Sequence, residues 1–384
     1  MKQVYIIGSN IITSLGFTTD EVFGKLQNRE TGIKLYNDAA FLPKPFYASL
    51  INTAEIAQRI VGLGFDAHLT KLEMLFALSI TDALRQTSID VKDTKTLLII
   101  STTKGNIDLL DPIKKQAFGE DRLFLWKMSE VIKNLFQIEN KALVVSQACI
   151  SGVIAIIIGK RLIEQGTYDQ VIVSGGDILT NFVLSGFESF QAISNKPCKP
   201  FDADRSGITL GEGCGTIIMT SNNDLVATDN KIIVAGGADS NDANHISGPS
   251  RTGDGLYLSI KNAMTEAQLQ TIDYVSAHGT ATPYNDEMEA KALAWAELTG
   301  VPVNSLKAYW GHTLGAAGII ESIAAIESMK QSVLIASEGF ETMGVSNPLN
   351  IITETRKTEI NSSLKTSSGF GGCNAALVLK KILN

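Results

Sequence analysis

The chain has 384 residues, which is long enough for two domains or for one duplicated unit with a large core. Hydrophobic residues make up 44% of it and charged residues 19%, the composition of an ordinary soluble globular protein and not of a disordered one. The net charge of −7 argues against a function in nucleic-acid binding. An acidic partner would therefore have to bind to a local basic patch.

The cysteines and the apolar segments bear on where the protein works. Its four cysteines lie far apart and form no C-x-x-C pair, which favours a reduced, cytoplasmic protein. The apolar run within the first 16 residues is too short and too interrupted for a signal peptide. The apolar run at residues 153–158 is also far shorter than the roughly 20 residues of a membrane span. We therefore predict no membrane insertion.

Strands and helices alternate along the first part of the chain. Short apolar runs predict buried strands, and apolar residues at helical spacing predict helices. The predicted strands are residues 2–8, 96–101, 142–145, 168–176 and 216–220, and the predicted helices begin near residues 19, 72 and 146. Residues 106–140 are predicted to be mostly helical, and residues 28–68 stay unassigned. Residues 181–197 are predicted to be irregular, with Phe182, Phe187 and Phe190 packed in the core in preference to lining a pocket.

The pattern begins again after a polar segment at residues 221–230, which we interpret as the junction between two halves. The predicted strands of the second half are residues 231–237, 274–277, 301–305, 364–368 and 375–379, and its predicted helices are residues 255–268, 286–298 and 316–329. The chain is therefore predicted to be a duplicated α/β unit with buried parallel strands. Residues 1–222 would form the N-terminal half and residues 223–384 the C-terminal half.

Cys149 lies where a predicted strand passes into a long apolar helix. The N–H groups at a helix N-terminus and the positive end of the helix dipole favour thiolate over thiol, which suits a nucleophile. A cysteine beside an apolar run is more often a small buried hydrophobic residue. The choice between these interpretations depends on the rest of the chain.

Three loops of the C-terminal half follow predicted strands, at residues 278–283, 307–312 and 368–374. Ligands bind at the carboxyl ends of strands in α/β sheets, so these loops and Cys149 could share one crevice. His278 and His312 could there transfer a proton or donate a hydrogen bond to an oxyanion. Taken alone, each is more often a loop histidine whose partners are backbone groups. The pair is a poor zinc site because no third ligand is evident.

Five motifs occur in order from about residue 140 to the end: VVSQACISG, KPFDADRSG with GEG, HGTATPYND, KAYWGHTLGAAG and SSGFGGCNAAL. Together they resemble the beta-ketoacyl-[acyl-carrier-protein] synthases, KAS I/II-like condensing enzymes of the Cys-His-His type in the thiolase superfamily. The resemblance implies a thiolase-like α/β fold whose two duplicated halves form αβαβα layers. It also implies an acyltransferase with no bound cofactor and no metal, whose substrates are carried on the phosphopantetheine of acyl carrier protein.

The resemblance implies a catalytic role for each matching residue. Cys149 would accept an acyl group, while His278 and His312 would bind the thioester carbonyl of a malonyl extender and stabilise the enolate formed by decarboxylation. That carbanion would attack acyl-Cys149 in fatty-acid or polyketide/polyene-like biosynthesis. The backbone N–H groups of Cys149 and Phe370 would form the oxyanion hole, and Phe370 would also be a gate between the acyl and malonyl sites.

Other matching residues would support this chemistry. Lys307, Glu289 and Asp286 would form an electrostatic scaffold for the histidines. Thr280 and Thr282 would contact the pantetheine arm.

The basic residues Lys114 and Lys115 are candidates for docking the acidic carrier protein.

The chain departs from the family's pattern at Gln147, at Cys373 and at residues 308–310. In this last run the bulk of Tyr309 and Trp310 puts the usual substrate in doubt.

Two other functions stay open. A thiolase-like enzyme acting on coenzyme A thioesters would favour a second catalytic cysteine, for which Cys373 is the only candidate. A non-catalytic subunit of the chain-length-factor kind would only shape a partner's pocket, but such subunits have lost the nucleophile. The resemblance also implies a dimer, either a homodimer or a heterodimer with a ketosynthase-like subunit.

Overall fold

Strands and helices alternate along the N-terminal half. The computed structural model describes residues 2–65, 68–226, 231–243, 245 and 248–382. The first half contains β1 (Tyr5–Ile12), α1 (Thr19–Gln27), β2 (Lys34–Tyr36), β3 (Phe46–Ser49), α2 (Thr53–Gly62), α3 (Lys71–Leu84), β4 (Thr96–Ser101), α4 (Pro112–Phe118), α5 (Leu125–Leu135), β5 (Leu143–Val145), α6 (Ser151–Glu164), β6 (Gln170–Asp177), α7 (Asn181–Ser189), β7 (Leu210–Gly211) and β8 (Gly213–Thr220).

The C-terminal half repeats this alternation. It contains β9 (Ile232–Asn241), α8 (Asp254–Glu266), β10 (Tyr274–Ser276), α9 (Pro283–Trp295), β11 (Pro302–Asn304), α10 (Lys307–Trp310), α11 (Ala317–Gln331), β12 (Val333–Leu334), β13 (Asn350–Ile351), β14 (Arg356–Lys357), β15 (Ser362–Gly369) and β16 (Cys373–Lys381).

Eleven strands of the described residues form one mixed sheet, in the order β13-β11-β10-β15-β16-β9-β1-β8-β6-β4-β5. The N-terminal set β1-β8-β6-β4-β5 and the C-terminal set β9-β16-β15-β10-β11 have the same pattern. In each set the second strand, β8 or β16, is antiparallel to its neighbours and the remaining strands are parallel. The sets join through one antiparallel residue pair, Tyr5 with Ile233. The sheet therefore contains one five-strand pattern twice.

The helices complete a layered structure. α3 packs on β1, β8 and β6, and α8 packs on the corresponding C-terminal strands β9, β16 and β15. α6 and α11 pack against each other and contact strands of both sets. The layers are thus an outer helix, the N-terminal set of strands, the paired central helices, the C-terminal set of strands and a second outer helix. The predicted αβαβα arrangement of a thiolase-like fold is confirmed.

The two central helices approach each other closely because glycines lie where they cross. A Cβ atom at Gly152 of α6 would lie 2.9 Å from the backbone nitrogen of Ile319. A Cβ atom at Gly318 of α11 would lie 2.7 Å from the backbone nitrogen of Val153. The N-terminal turns of α6 and α11 are therefore in backbone contact, and the residues that precede these turns come from different halves of the chain.

Two local predictions differ from the structure, and the unassigned region contains a helix. Residues 181–189 form helix α7, which the predicted irregular segment missed; Thr180 caps it by accepting a hydrogen bond from the Val183 N–H. Helix α2 lies in the unassigned region and is capped by Asn52. β5 pairs only with β4 at the end of the sheet, and Leu143 is 41% exposed, so this strand is an edge strand and not a buried one.

Two further predictions concern the chain as a whole. Residues 227–230 of the predicted junction lie outside the described residues, and the boundary between residues 222 and 223 stays a prediction. Across the described ranges, each helix is too short or too polar to span a bilayer.

We expect Gly318→Ala to lower the free energy of unfolding by about 1–3 kcal/mol, because the added methyl group must displace the backbone of α6. Urea denaturation would measure this change. Gly24→Ala in α1 is the matched control, because no atom lies within 4 Å of its added Cβ. It should stabilise the protein by about 0.5–1 kcal/mol through helix propensity. Equal effects of the two substitutions would contradict the close crossing.

Candidate active site

Cys149 lies in a tight turn between β5 and α6. The preceding residue, Ala148, has a φ of 45°, in the left-handed region that costs a non-glycine residue about 1–2 kcal/mol. The Ser151 hydroxyl stabilises the turn by accepting a hydrogen bond from the Gln147 N–H at 2.8 Å and donating one to the Ala148 carbonyl at 2.6 Å. The turn leaves Cys149 only 9% exposed, immediately before the first turn of the central helix.

Both predicted histidines lie beside Cys149. His278 follows β10 and His312 follows α10, and their rings are in an edge-to-face arrangement with centroids 5.2 Å apart. One side-chain sulfur or nitrogen atom from each of Cys149, His278 and His312 lies within 4.8 Å of the others, and all three residues are buried. The structure therefore joins the predicted residues in one crevice. The argument that the histidine pair lacks a third potential metal ligand is wrong, because the Cys149 sulfur occupies that position.

Burial sets the protonation of these groups. It is the main cause that lowers the pKa of His278 and His312 well below the ordinary value, and the ammonium groups of Lys307 and Lys365 lower it further. Burial also raises the pKa of the Cys149 thiol to about 12. Burial therefore acts against the thiolate that the helix terminus was predicted to favour. At neutral pH the site contains a thiol and two neutral imidazoles.

The imidazole nitrogens are available to a ligand. His278 Nδ1 and both ring nitrogens of His312 are buried and have no hydrogen-bond partner among the described residues. A buried polar atom without a partner costs free energy, so such atoms often mark a place where a ligand binds. Their positions beside the Cys149 sulfur indicate where the polar atoms of that ligand would lie.

The backbone around His278 is held by Glu289 on α9. The Glu289 carboxylate accepts hydrogen bonds from the N–H groups of His278 and Gly279 at 2.8 and 2.7 Å. It also accepts one from the Thr366 hydroxyl at 2.6 Å. Glu289 is fully buried, and these donors compensate its charge. It positions the histidine loop through the backbone and not through the ring.

Lys307 belongs to a buried ionic cluster whose other members the sequence analysis did not identify. Its ammonium nitrogen lies 2.6 Å from one oxygen of Glu321, and the Lys365 nitrogen lies 2.5 Å from the other. The three side chains are at most 1% exposed. Lys307 therefore pairs with Glu321 and not with Glu289, the carboxylate predicted to act beside it.

Asp286 and the two threonines organise the turn that follows His278. The Asp286 carboxylate accepts hydrogen bonds from the N–H groups of Thr280 and Phe201 at 2.9 and 2.7 Å. Burial raises its pKa to about 6. The hydroxyl oxygens of Thr280 and Thr282 lie 3.0 Å apart, and both residues line the crevice that contains the histidines. The threonines are therefore placed where a ligand could contact them.

Two segments of the N-terminal half also position the site. The buried Asp177 carboxylate, which was not predicted, accepts hydrogen bonds from the Thr103 and Gly315 N–H groups at 3.0 and 2.7 Å. The N–H of His312 donates to the Thr209 carbonyl at 2.7 Å. A Cβ atom at Gly211 would collide with the Trp310 carbonyl, which gives the glycine-rich run a packing role. Contacts between the halves therefore fix His312 relative to Cys149.

Two cavities meet at Cys149. The first, of about 80 Å³, is lined by Cys149, both histidines, Thr280 and Thr282. The second, of about 250 Å³, is apolar, and its wall includes Phe182, Phe187 and Phe190. Cys149, Phe187 and Phe370 border both cavities.

The aromatic residues around the second cavity do not form a closed core. The ring centroid of Phe370 lies 5.5 Å from that of Phe187 and 5.1 Å from that of Phe190. Phe182 and Phe190 are about half exposed. The prediction that these phenylalanines pack in the core is wrong for Phe182 and Phe190, whereas Phe187 packs against a buried apolar cluster and also lines the cavity.

The departures from the family pattern lie outside the cavity walls. Tyr309 and Trp310 are fully buried core residues and line neither cavity. The Cys373 sulfur lies 3.3 Å from the Phe370 carbonyl oxygen, behind the glycine loop, and Cys373 also lines neither cavity. Gln147 is exposed at the edge of the sheet.

The two candidate docking lysines lie on α4. Lys114 is paired with Asp108 at 3.0 Å and Lys115 with Glu120 at 2.9 Å. Both lysine side chains are exposed, and exposed pairs of this kind contribute little to stability.

The duplicated fold, which brings a cysteine and two histidines together in one crevice, defines the class as thiolase-fold proteins. Residues 1–224 match the family model described as "Beta-ketoacyl synthase, N-terminal domain", and residues 232–341 match "Beta-ketoacyl synthase, C-terminal domain". The chain belongs to the beta-ketoacyl synthase family. The resemblance in its motifs to KAS I/II-like enzymes is thereby confirmed.

A curated relative and two solved structures agree with this assignment. The "3-oxoacyl-[acyl-carrier-protein] synthase 2" of Rhizobium meliloti (strain 1021) is 33% identical over 250 residues, which are 61% of this chain and 59% of the relative. The chain therefore matches somewhat less than two thirds of that relative's length.

The structural matches extend over nearly the whole chain. The structure "Ketosynthase (ApeO) in Complex with its Chain Length Factor (ApeC) from Xenorhabdus doucetiae" contains a chain that matches with a TM-score of 0.86 at 25% identity, covering 99% of this chain and 98% of that one. A beta-ketoacyl synthase from Burkholderia phymatum STM815 has the same fold, with a TM-score of 0.87 at 22% identity and complete coverage of both chains.

The low histidine pKa values predict a loss of stability in acid. Unfolded histidines bind protons as the pH falls below about 6.5, whereas buried His278 and His312 stay neutral, so protonation favours the unfolded chain. Between pH 7.5 and 5.5 the free energy of unfolding should fall by about 1 kcal/mol for each histidine. Urea denaturation across this range should show a smaller fall for a His278→Asn, His312→Asn double variant. Identical pH slopes for the two proteins would contradict the lowered pKa values.

Proposed function

We propose that this protein is a beta-ketoacyl-[acyl-carrier-protein] synthase, which condenses an acyl group on Cys149 with a malonyl group and releases carbon dioxide. The observation that supports this most directly is the meeting of the Cys149 sulfur with His278 and His312, within 4.8 Å, at the junction of two cavities. The second, apolar cavity suits the acyl chain. The first cavity, which contains the histidines, suits the thioester end of a pantetheine arm, with Thr280 and Thr282 as its contacts.

The first step is transfer of the acyl group. The Cys149 sulfur attacks the incoming thioester, its proton passes to a neutral imidazole, and the thiol of the carrier leaves with a proton. A neutral histidine is a suitable acceptor for this proton. Burial disfavours the imidazolium ion, but the negative charge of the oxyanion that develops beside it stabilises that ion. The backbone N–H groups of Cys149 and Phe370 stabilise that oxyanion. The contact between their loops is close, since a Cβ atom at Gly369 would lie 3.0 Å from the Cys149 nitrogen.

The second step is decarboxylation of the malonyl group. The unpartnered nitrogens of His278 and His312 donate hydrogen bonds to the thioester carbonyl, where negative charge develops as carbon dioxide leaves. The resulting carbanion attacks the acyl-Cys149 carbonyl and expels the cysteine sulfur as a thiolate, which takes up a proton from solvent and becomes the thiol again. Lys307, paired with Glu321, supports the histidines electrostatically, while Glu289 and Asp286 hold their loop.

The proposed partner is an acyl carrier protein, and the proposed location is the cytoplasm. The name of the Rhizobium relative supports a carrier-bound substrate. The Xenorhabdus complex, in which a ketosynthase is paired with a chain length factor, supports a dimer that is either homomeric or heteromeric. Lys114 and Lys115 remain the proposed docking residues for the acidic carrier.

The two other candidate functions have less support. A thiolase-like reaction needs a second cysteine at the substrate, and Cys373 lies behind the glycine loop and outside both cavity walls. A non-catalytic subunit needs no nucleophile, whereas Cys149 lies at the junction of the cavities beside two histidines.

We expect Cys149→Ala to abolish acylation of the protein by acyl carrier protein, because the attacking sulfur is removed. Intact-mass spectrometry after incubation with acyl carriers of several chain lengths would detect the adduct on the unmodified protein. Cys198→Ala is the matched control: this cysteine is buried and lies outside both cavities, so the adduct should persist. Acylation of Cys149→Ala, or no adduct on the unmodified protein with any carrier, would overturn the proposed function.

We expect Cys149→Gln to decarboxylate malonyl carrier protein, since the histidines remain. Adding His278→Ala or His312→Ala should reduce carbon dioxide release about a hundredfold or more, because each removes a donor to the developing negative charge. His68→Ala in the same background is the control, since His68 stacks on Phe118 and lies outside both cavities. Retained decarboxylation in both active-site variants would contradict the roles of these histidines.

A further inference from the structure

Lys365 is a buried cation that the reaction described above does not use. It lies on β15, where it pairs in register with Ser276 of β10, and its side chain is 0% exposed. Its ammonium group donates hydrogen bonds to the carbonyls of Ser276 and Ala277, both at 3.1 Å, and pairs with Glu321 at 2.5 Å. These two carbonyls belong to the residues immediately before His278.

The ionic cluster contains an unbalanced charge. Two ammonium groups, Lys307 and Lys365, share the single carboxylate of Glu321, so the three side chains carry one positive charge when both lysines are protonated. Burial lowers the pKa of Lys365, and the carboxylates of Glu321 and Glu289 act in the opposite direction and favour its charged form. Burial of an uncompensated charge is costly, and a single lysine would suffice to neutralise Glu321. The second lysine therefore needs an explanation other than stability.

We propose that Lys365 is a positioning residue of the condensation site, which anchors the backbone before His278 and adds a positive charge beside the histidine loop. The geometry supports both parts, because the same ammonium group binds the strand end and completes the ionic cluster. This inference rests on the proposed function, since neutral imidazoles are needed there to receive the thiol proton.

The direction of the electrostatic effect agrees with this role. Lys365 and Lys307 both lower the pKa of His278 and of His312, in addition to the larger effect of burial. A positive charge disfavours an imidazolium ion, and it also favours the negative charge that develops on a substrate oxygen. Other titratable groups around the site belong to several elements, and the substitutions at Lys365 and Glu321 leave them unchanged: Cys149, Lys104, Asp177, Asp242, Asp286 and Glu289.

The test measures how the charge of the ionic cluster changes the titration midpoints of His278 and His312. The chain has only four histidines, so NMR titration of protein with labelled histidine can follow each ring, with His→Asn variants for assignment. In the unmodified protein the signals of His278 and His312 should keep their neutral positions down to about pH 5. Lys365→Met removes one positive charge, and the midpoint of at least one of the two should rise by about one pKa unit or more.

A double variant separates the charge from the structural effect. Glu321→Gln with Lys365→Met leaves Lys307 alone and restores one positive charge, so the histidine midpoints should return toward those of the unmodified protein. The pH profile of decarboxylation in the Cys149→Gln background should change in the same direction. The midpoint pH of its acid limb should rise in Lys365→Met and return in the double variant. If Lys365→Met does not fold, Lys365→Gln provides the same change of charge with a polar side chain.

Lys160→Met is the matched control. Lys160 is 2% exposed and is paired with Glu164 at 2.8 Å and Glu266 at 2.6 Å, and it lines neither cavity. Its loss should leave both histidine midpoints unchanged. Histidine midpoints that do not move in Lys365→Met and Lys365→Gln, or that move equally in Lys160→Met, would overturn this inference. Midpoints that move as expected in a protein without decarboxylation would instead contradict the proposed function alone.

Discussion

The site depends on the backbone contact between the two central helices. Cys149 precedes α6 and His312 precedes the turn that leads into α11, and these segments belong to different halves of the chain. Only glycine at positions 152 and 318 allows the first turns of the helices to meet. Because van der Waals packing is steep with distance, a shift of even one ångström at this crossing would separate sulfur from imidazole. The duplication of the fold is thus what assembles a single site.

The buried polar groups around this contact are satisfied mainly through the backbone. Asp177, Glu289 and Asp286 each accept hydrogen bonds from N–H groups of the loops that end the strands. Charge-assisted hydrogen bonds of this kind are stronger than neutral ones and have defined directions. The same hydrogen bonds therefore hold the loops rigid and allow the carboxylates to be buried. The imidazoles, whose ring nitrogens mostly lack such partners, are the groups left free for a substrate.

How much of this structure the sequence predicts depends on how far apart in the sequence the interacting residues lie. Cys149, His278 and His312 could be singled out as candidates because each lies at a strand or helix end, where glycines and changes of periodicity are visible locally. The choice between a catalytic and a structural role for them depended on the resemblance of the five motifs to a known family. Glu321 and Lys365 lie within a helix and a strand, where a polar residue in an apolar run gives no sign of its partner. The position of β5 at the edge was missed for a related reason, since apolar pattern does not encode the order of strands in a sheet.

The Phe370 ring forms part of the wall of both cavities, and this has a thermodynamic consequence. A displacement of the ring that enlarges the space for one ligand takes space from the other, so the occupants compete for a single side-chain position. Linkage requires the effect to be reciprocal: whatever a ligand in one cavity does to the affinity for a ligand in the other, the second ligand does to the affinity for the first. In the proposed reaction, the length and stiffness of the chain on Cys149 would therefore change how readily the next unit binds.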